Sequence, residues 1–117
     1  MAKTIKAWGL KKCSTTQAAL KYLAEKKVGV EFTDYSVEPL TKEQVSRWAE
    51  AVGGWEKLIN RSGYTWRGLP PEQIENLTTA KAVALAVKHT SLIRRPLIEH
   101  QDGSVTAGFP PKVKDLF

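Results

Sequence analysis

The chain begins with short segments in which apolar and polar residues alternate. Thr4–Trp8 and Val30–Tyr35 both show this alternation, which is typical of β-strands. Between them, apolar residues at helical spacing predict a helix that Ser14 or Thr15 caps and that Gly29 ends. Strand, helix and strand in this order indicate a βαβ unit with parallel strands.

The middle of the chain is predicted to be helical. Thr41–Gln44 has the pattern of a capping box, and the apolar helical face that follows it stops at Gly53 and Gly54. Trp55–Ile59 adds another short helical piece. Ala80–Lys88 is apolar around nearly its whole circumference, so we expect this helix to pack on the sheet.

The last part of the chain predicts a hairpin and a short helix. Leu97–His100 and Ser104–Ala107 flank an Asp-Gly pair, which favours the turn of an antiparallel hairpin. The order β-α-β, helices, β-β, α is that of an α/β thioredoxin-like (glutaredoxin-like) fold with a helical insertion subdomain. The expected organisation is a single domain, 1–117, with core segments at about 1–37 and 90–117 and the insertion at about 38–89.

Composition limits the class of protein. The chain has 117 residues, enough to bury a core, and its single cysteine cannot form an internal disulfide. One cysteine fits a reducing compartment, so we expect a cytoplasmic protein. The longest strongly apolar stretch, Ala80–Val87, is far shorter than the roughly 20 residues that cross a bilayer, and the N-terminus lacks the features of a secretory signal. We therefore expect no membrane partner.

The net charge of +6 favours a negatively charged partner, such as nucleic acid, an anionic membrane or a small anionic substrate. The lysines are scattered, and neither helix-turn-helix nor zinc-finger spacing is present, so we do not expect specific nucleic-acid binding. One cysteine and the distant histidines His89 and His100 are a poor ligand set, which predicts no metal site.

Cys13 is the candidate nucleophile because it stands where a helix is predicted to begin. Unpaired amide groups and the helix dipole at that position stabilise a thiolate. The alternative is a buried core cysteine, against which the polar neighbours Lys12 and Ser14 argue. Thr16 occupies the position of the second sulfur in a Cys-x-x-Cys motif, so oxidised Cys13 requires an external thiol such as glutathione.

Arg61 and the pair Arg94-Arg95 are candidate anion ligands, because guanidinium forks suit oxyanions and carboxylates. The alternative is that they are surface charges or cap nearby helices. Pro96 follows this pair directly and precedes a predicted strand.

Four segments together resemble the arsenate reductase and Spx-type family, in particular its uncharacterised proteobacterial branch. They are Ala7–Thr16, Leu58–Ser62, Thr65–Leu69 and Leu92–Leu97. The resemblance covers nearly the whole chain. It implies a thioredoxin-like fold with an inserted helical subdomain, a reactive Cys13, an anion site near Arg61 and Arg95, and a cis bond at Pro96.

Two departures distinguish this chain from the arsenate reductases that it resembles. Those enzymes carry a third arginine in the last hairpin, whereas Ser104–Phe109 contains none. They also carry a histidine four residues before the cysteine, where this chain has Gly9. Both departures argue against arsenate as the physiological substrate.

The sequence therefore predicts a glutathione-dependent thiol oxidoreductase similar to arsenate reductase. Cys13, Arg61 and Arg95 are the expected catalytic residues, and Lys12, Thr16 and Pro96 are the expected binding residues. We expect a monomer without a bound cofactor, in which glutathione or another external thiol is the reducing co-substrate. The alternative is an Spx-type protein-binding module and transcription regulator that contacts the RNA polymerase α-subunit without catalysis. Thr16 removes the Cys-x-x-Cys switch that such regulators often use.

Overall fold

The computed structural model describes residues 4–117. These residues form two compact units. The first comprises the described residues up to Glu38 together with Arg95–Phe117, and the second comprises Pro39–Arg94. The first unit holds the β-sheet, and the second is built of helices.

A four-stranded mixed sheet forms the centre of the first unit, with the strand order β2-β1-β3-β4. β1 (Thr4–Gly9) pairs in parallel with β2 (Gly29–Asp34), and helix α1 (Ser14–Glu25) connects them. On its other side β1 pairs antiparallel with β3 (Leu97–Glu99), which in turn pairs antiparallel with β4 (Val105–Ala107). The βαβ unit and the hairpin that the sequence predicts are both present.

The core of the first unit follows from the alternation of side chains along β1. Ile5 and Ala7 are buried, and they form a cluster with Leu23 of α1 and Ile98 of β3. Several half-buried apolar side chains pack against this cluster: Val28, Val30, Phe32, Phe109 and Phe117. The central strand is therefore held by hydrogen bonds on both edges and by apolar packing on its face.

Helix α1 begins differently from the prediction. Cys13 is the N-cap residue, with an extended backbone (φ −75°, ψ 128°) and no side-chain capping hydrogen bond. The prediction that Ser14 or Thr15 caps the helix is wrong, because both residues already lie in its first turn with exposed side chains. A hydroxyl at the N-cap is a preference of helices, and here a thiol takes that place.

The second unit contains two longer helices and several short helical turns. They are α2 (Lys42–Ala51), α3 (Trp55–Leu58), α4 (Tyr64–Arg67), α5 (Pro71–Ile74), α6 (Thr79–Lys88) and a 3-10 turn (Thr90–Leu92). The hydroxyls of Thr41 and Thr78 cap the two longer helices by accepting hydrogen bonds from the amides of Gln44 and Lys81. The capping positions predicted from the sequence are correct for both.

Helix α6 packs chiefly on α2. Its buried residues are Ala82, Val83 and Ala86, whereas Ala84 is exposed. Small side chains on one face allow two helices to approach closely. The prediction that α6 packs on the sheet is therefore wrong about its main partner: an apolar composition indicated burial but did not identify what covers the helix.

The chain ends with a hairpin turn and a short helix. The Asp102 carboxylate accepts hydrogen bonds from the amide and the hydroxyl of Ser104, at 2.9 and 2.6 Å, and Gly103 adopts a positive φ of 88°. Helix α7 (Pro111–Lys114) follows β4, with Val113 buried. Within residues 4–117, none of the helices is long and apolar enough to cross a membrane.

Replacing Leu23 with alanine tests the packing of the first unit. Leu23 is fully buried, so Leu23→Ala should lower the free energy of unfolding by about 2–5 kcal/mol. The same change at Leu116, which is 61% exposed, should cost less than about 1 kcal/mol. Urea unfolding measures both variants. Equal losses would contradict the assignment of the core.

Candidate functional site

Three chain segments meet at one end of the sheet, where β1 and β2 finish and β3 begins. β1 ends at Gly9, which is paired in register with Asp34 at the end of β2. β3 runs antiparallel to β1, so Leu97 at the start of β3 lies at the same end of the sheet. The amide of Tyr35, just beyond β2, donates to the carbonyl of Gly9 at 3.1 Å. Open α/β sheets commonly place their functional sites at the carboxyl ends of parallel strands.

Cys13 lies at this end of the sheet, in the tight loop that connects β1 to α1. Its amide donates to the carbonyl of Leu10, and its carbonyl accepts the amide of Gln17, both at 2.9 Å. The Gln17 side chain also donates to the carbonyl of Lys11 at 2.9 Å. The loop is therefore closed onto the first turn of α1, and the half-buried sulfur stands at the N-terminus of a twelve-residue helix.

Asp34 ties this loop to the end of β2. Its carboxylate accepts the amide of Lys11 at 3.0 Å and both the hydroxyl and the amide of Ser36, at 2.6 and 2.8 Å. Hydrogen bonds from Ser36 and Lys11 lower the pKa of Asp34. The sequence analysis missed this clamp, although an Asp two residues before a Ser is a recognised turn signal.

The surroundings of Cys13 stabilise its thiolate. Partial burial raises the pKa of the thiol. Hydrogen bonds from the amide and hydroxyl of Thr16, from the Arg95 side chain and from the amide of Thr15 together lower this pKa by more than burial raises it. The net result is a pKa of about 7. A free cysteine titrates near pH 8.5, so a large fraction of Cys13 is ionised at neutral pH.

Thr16 is fully buried beside the sulfur. Its hydroxyl has no oxygen or nitrogen partner among the described residues, and it stabilises the Cys13 thiolate. A Cβ atom at Gly9 would come within 2.9 Å of that hydroxyl oxygen and 3.2 Å of the Thr16 methyl group. The end of β1 therefore has room for glycine only while Thr16 keeps its position against Cys13.

Arg95 brings a positive charge to the sulfur. Its half-buried guanidinium hydrogen-bonds both Cys13 and the hydroxyl of Tyr35. Burial lowers the pKa of Arg95, and these two neighbours raise it by more, so the guanidinium stays charged. Arg95 thus reaches Cys13, and its role as an anion ligand stays a prediction.

Tyr35 is the site residue that the sequence analysis missed. It is only 3% exposed, and burial raises the pKa of its hydroxyl to about 12. The sequence pattern placed it only at the end of the predicted strand Val30–Tyr35. No local signal could link it to Arg95, which lies far along the chain.

The other predicted residues of the first unit differ in their surroundings. The Arg95-Pro96 bond is cis, as the family resemblance implied, and Pro96 is fully buried next to Arg95. Lys12 is exposed in the loop before Cys13.

Arg61 belongs to the second unit. Its guanidinium lies over the Trp55 ring, 5.7 Å from the ring centroid, and Trp55 stacks on Trp66 with centroids 6.5 Å apart. Aromatic faces attract guanidinium groups in this arrangement. The role of Arg61 as an anion ligand and catalytic residue stays a prediction.

Comparison with known proteins adds to this geometry. The ArsC family model matches residues 8–115. An uncharacterised protein of Haemophilus influenzae is 34% identical over 108 residues, which are 92% of this chain and 93% of that protein.

Solved structures resemble this chain over nearly its whole length. The structure of the YffB protein matches with a TM-score of 0.88 and 35% identity, and covers 96% of both chains. An arsenate reductase (ArsC) related protein from Brucella melitensis matches with a TM-score of 0.79 and 32% identity, covering 100% of this chain and 96% of its own. The thioredoxin-like fold predicted from the sequence is therefore confirmed.

Removing the Thr16 hydroxyl should raise the pKa of Cys13, because the thiolate then loses a hydrogen bond. Valine keeps the shape of the buried side chain, so Thr16→Val should leave the fold intact. The rate of Cys13 alkylation against pH gives the titration midpoint, which should rise above the wild-type value of about 7.

Thr15→Val is the matched control, because Thr15 acts on Cys13 through its amide and its side chain is exposed. This variant should keep the wild-type midpoint. If both valine variants titrate like the wild type, the Thr16 hydroxyl does not stabilise the thiolate.

Proposed function

Since this chain belongs to the ArsC family and has a thiol oxidoreductase-like fold, we propose that it is a glutathione-dependent thiol oxidoreductase with Cys13 as the nucleophile. The observation that carries the proposal is the hydrogen-bonded pair of Cys13 and Arg95 at the N-terminus of α1. A thiol of pKa about 7 combines a high thiolate fraction at neutral pH with good nucleophilicity.

The proposed reaction is thiol–disulfide exchange. The Cys13 thiolate attacks one sulfur of a disulfide substrate, the substrate disulfide breaks, and its other sulfur leaves as a thiolate that takes a proton from water. Cys13 is then joined to the substrate or to glutathione. An external glutathione thiolate attacks the non-protein sulfur of that mixed disulfide and forms a new disulfide with it, while the bond to the Cys13 sulfur breaks and Cys13 leaves as the thiolate. The chain supplies one sulfur throughout, in keeping with its single cysteine.

Arg95 has two roles in this proposal. Its guanidinium stabilises the attacking thiolate and the thiolate that leaves when the mixed disulfide is resolved, because both carry negative charge on the Cys13 sulfur. A carboxylate of glutathione, or an anionic substrate, would take its other donor groups. Arg61 is proposed as a second anion ligand, and Lys12, Thr16 and Pro96 as residues around bound glutathione.

Arsenate is not the substrate that we propose. The hairpin segment 104–109 carries no arginine, so an oxyanion would meet less positive charge than in the arsenate reductases that the sequence resembles. The crowding between Gly9 and Thr16 leaves no space for the histidine of those enzymes. A disulfide of glutathione needs neither group. We place this reaction in the reducing cytoplasm and assign it to a monomer.

Incubation with glutathione disulfide should add one glutathione to Cys13, detected by mass spectrometry, and none to Cys13→Ser. Arg95→Met should slow the addition at pH 7 about five- to tenfold, because the thiolate loses a charged hydrogen bond. Arg94→Met is the matched control: Arg94 is the exposed neighbour and should leave the rate within about twofold of wild type.

Other outcomes would count against this function. Brisk turnover in a coupled arsenate assay would identify arsenate as the substrate and show that the missing arginine matters little. Absence of a glutathione adduct at Cys13, together with NMR shifts on adding the C-terminal domain of the RNA polymerase α-subunit, would replace the enzyme by the protein-binding module.

A further inference from the structure

We propose that Tyr35 is a positioning residue, whose hydroxyl holds the Arg95 guanidinium where it hydrogen-bonds the Cys13 sulfur. This inference deepens the proposed function, on which its catalytic meaning rests. Tyr35 does not touch the reacting sulfur in this scheme; it acts through Arg95. The proposal is based on the juxtaposition of the Cys13, Tyr35 and Arg95 side chains at one end of the sheet.

The backbone of Tyr35 is fixed by the sheet. Its amide donates to the carbonyl of Gly9 at 3.1 Å, which extends the parallel pairing of β1 and β2 by one hydrogen bond. The carboxylate of the preceding residue, Asp34, is anchored to the amide of Lys11. With only 3% of its surface exposed, the Tyr35 side chain is held by packing on most sides. The hydroxyl therefore has a defined position relative to the Cys13 loop.

Arg95 needs such an anchor because its side chain is long and has several rotatable bonds. An unanchored guanidinium would pay a conformational entropy cost each time it met the sulfur. The planar guanidinium carries several N–H donors, so it can donate to the Tyr35 hydroxyl and to Cys13 at the same time. Tyr35 thus reduces the conformational freedom that Arg95 must lose to reach the thiolate.

The neutral state of Tyr35 is part of this arrangement. Burial raises the pKa of the hydroxyl to about 12, and the negative charges of Cys13 and Asp34 act in the same direction, although Arg95 opposes them. The phenol therefore stays protonated at physiological pH. A neutral acceptor orients the guanidinium without cancelling its charge, whereas a carboxylate at this place would compete with the Cys13 thiolate for it.

The test is the pH profile of Cys13 alkylation by iodoacetamide. Tyr35→Phe should raise the midpoint by about half a pH unit or more, which lowers the rate at pH 7 about two- to threefold. Tyr22→Phe is the matched control, because it also removes a tyrosine hydroxyl from the first unit. The Tyr22 hydroxyl donates to the carbonyl of Lys114 and not to Arg95. The control should keep the wild-type midpoint.

A double-variant cycle separates positioning from general destabilisation. In the Arg95→Met background, Tyr35→Phe should cause no further change in the midpoint, because the residue through which Tyr35 acts is gone. A shift of the same size with and without Arg95 would overturn the proposal. An unchanged midpoint in the single variant would also overturn it, whatever the change in thermal stability.

A second measurement needs no variant at Tyr35. In ¹⁵N NMR spectra of the wild-type protein, assigned with Arg95→Met, the Arg95 guanidinium should show slowed rotation. Free rotation at neutral pH would contradict the proposal even if Tyr35→Phe failed to fold.

Alkylation does not involve glutathione, so the two proposals fail separately. A protein that forms no glutathione adduct but shows the Tyr35 effect disproves the proposed function alone. A protein that forms the adduct without the Tyr35 effect disproves the positioning role alone.

Discussion

β1 pairs with β2 along one edge and with β3 along the other, and the site depends on this double pairing. Because β2 is parallel and β3 antiparallel to it, the end of β1, the end of β2 and the start of β3 coincide. Tyr35 directly follows β2, Arg95 lies two residues before β3, and Cys13 lies four residues after β1. Residues remote in the chain are thus brought together by hydrogen bonds of the sheet.

Close packing at Gly9 is the second constraint on the site. The first turn of α1 approaches the end of β1 so closely that a Cβ at Gly9 would meet Thr16. This approach directs the Thr16 hydroxyl and the amides of the first turn toward the sulfur of Cys13. The same packing that orders the helix start therefore lowers the pKa of the thiol. It also excludes a larger side chain at the position where the arsenate reductases resembled by the sequence carry a histidine.

Local sequence patterns were sufficient to predict the strands and the existence of the longer helices, although α1 ends at Glu25 and Gly29, the predicted end of this helix, already belongs to β2. Alternation along β1 and β2, the Asp-Gly turn at Asp102 and the caps at Thr41 and Thr78 are local signals, and the structure agrees with them. The cap of α1 was assigned wrongly, because the loop hydrogen bonds that select Cys13 involve Asp34, which is distant in sequence. The packing of α6 on α2 depends likewise on a contact between separate segments.

The candidate site was predictable only in part. The position of Cys13 before a helical stripe indicated a thiolate, and family resemblance directed attention to Arg95. Tyr35 could not be found in the same way, because its hydrogen bond to Arg95 exists only after the strands pair. The role of Arg61 in the site stays a prediction. Local patterns thus identify the nucleophile more readily than the residues that orient its partners.

The central claim is that hydrogen bonds of the folded protein lower the pKa of Cys13 to about 7. Ultraviolet absorbance of the thiolate, titrated against pH in native buffer and in concentrated urea with Cys13→Ser as the baseline, tests it most directly. We predict a titration midpoint near pH 7 in the folded protein. In urea, where the hydrogen bonds from Thr16 and Arg95 are lost, the midpoint should lie at about pH 8.5. One midpoint at or above about 8.5 in both conditions would contradict the claim.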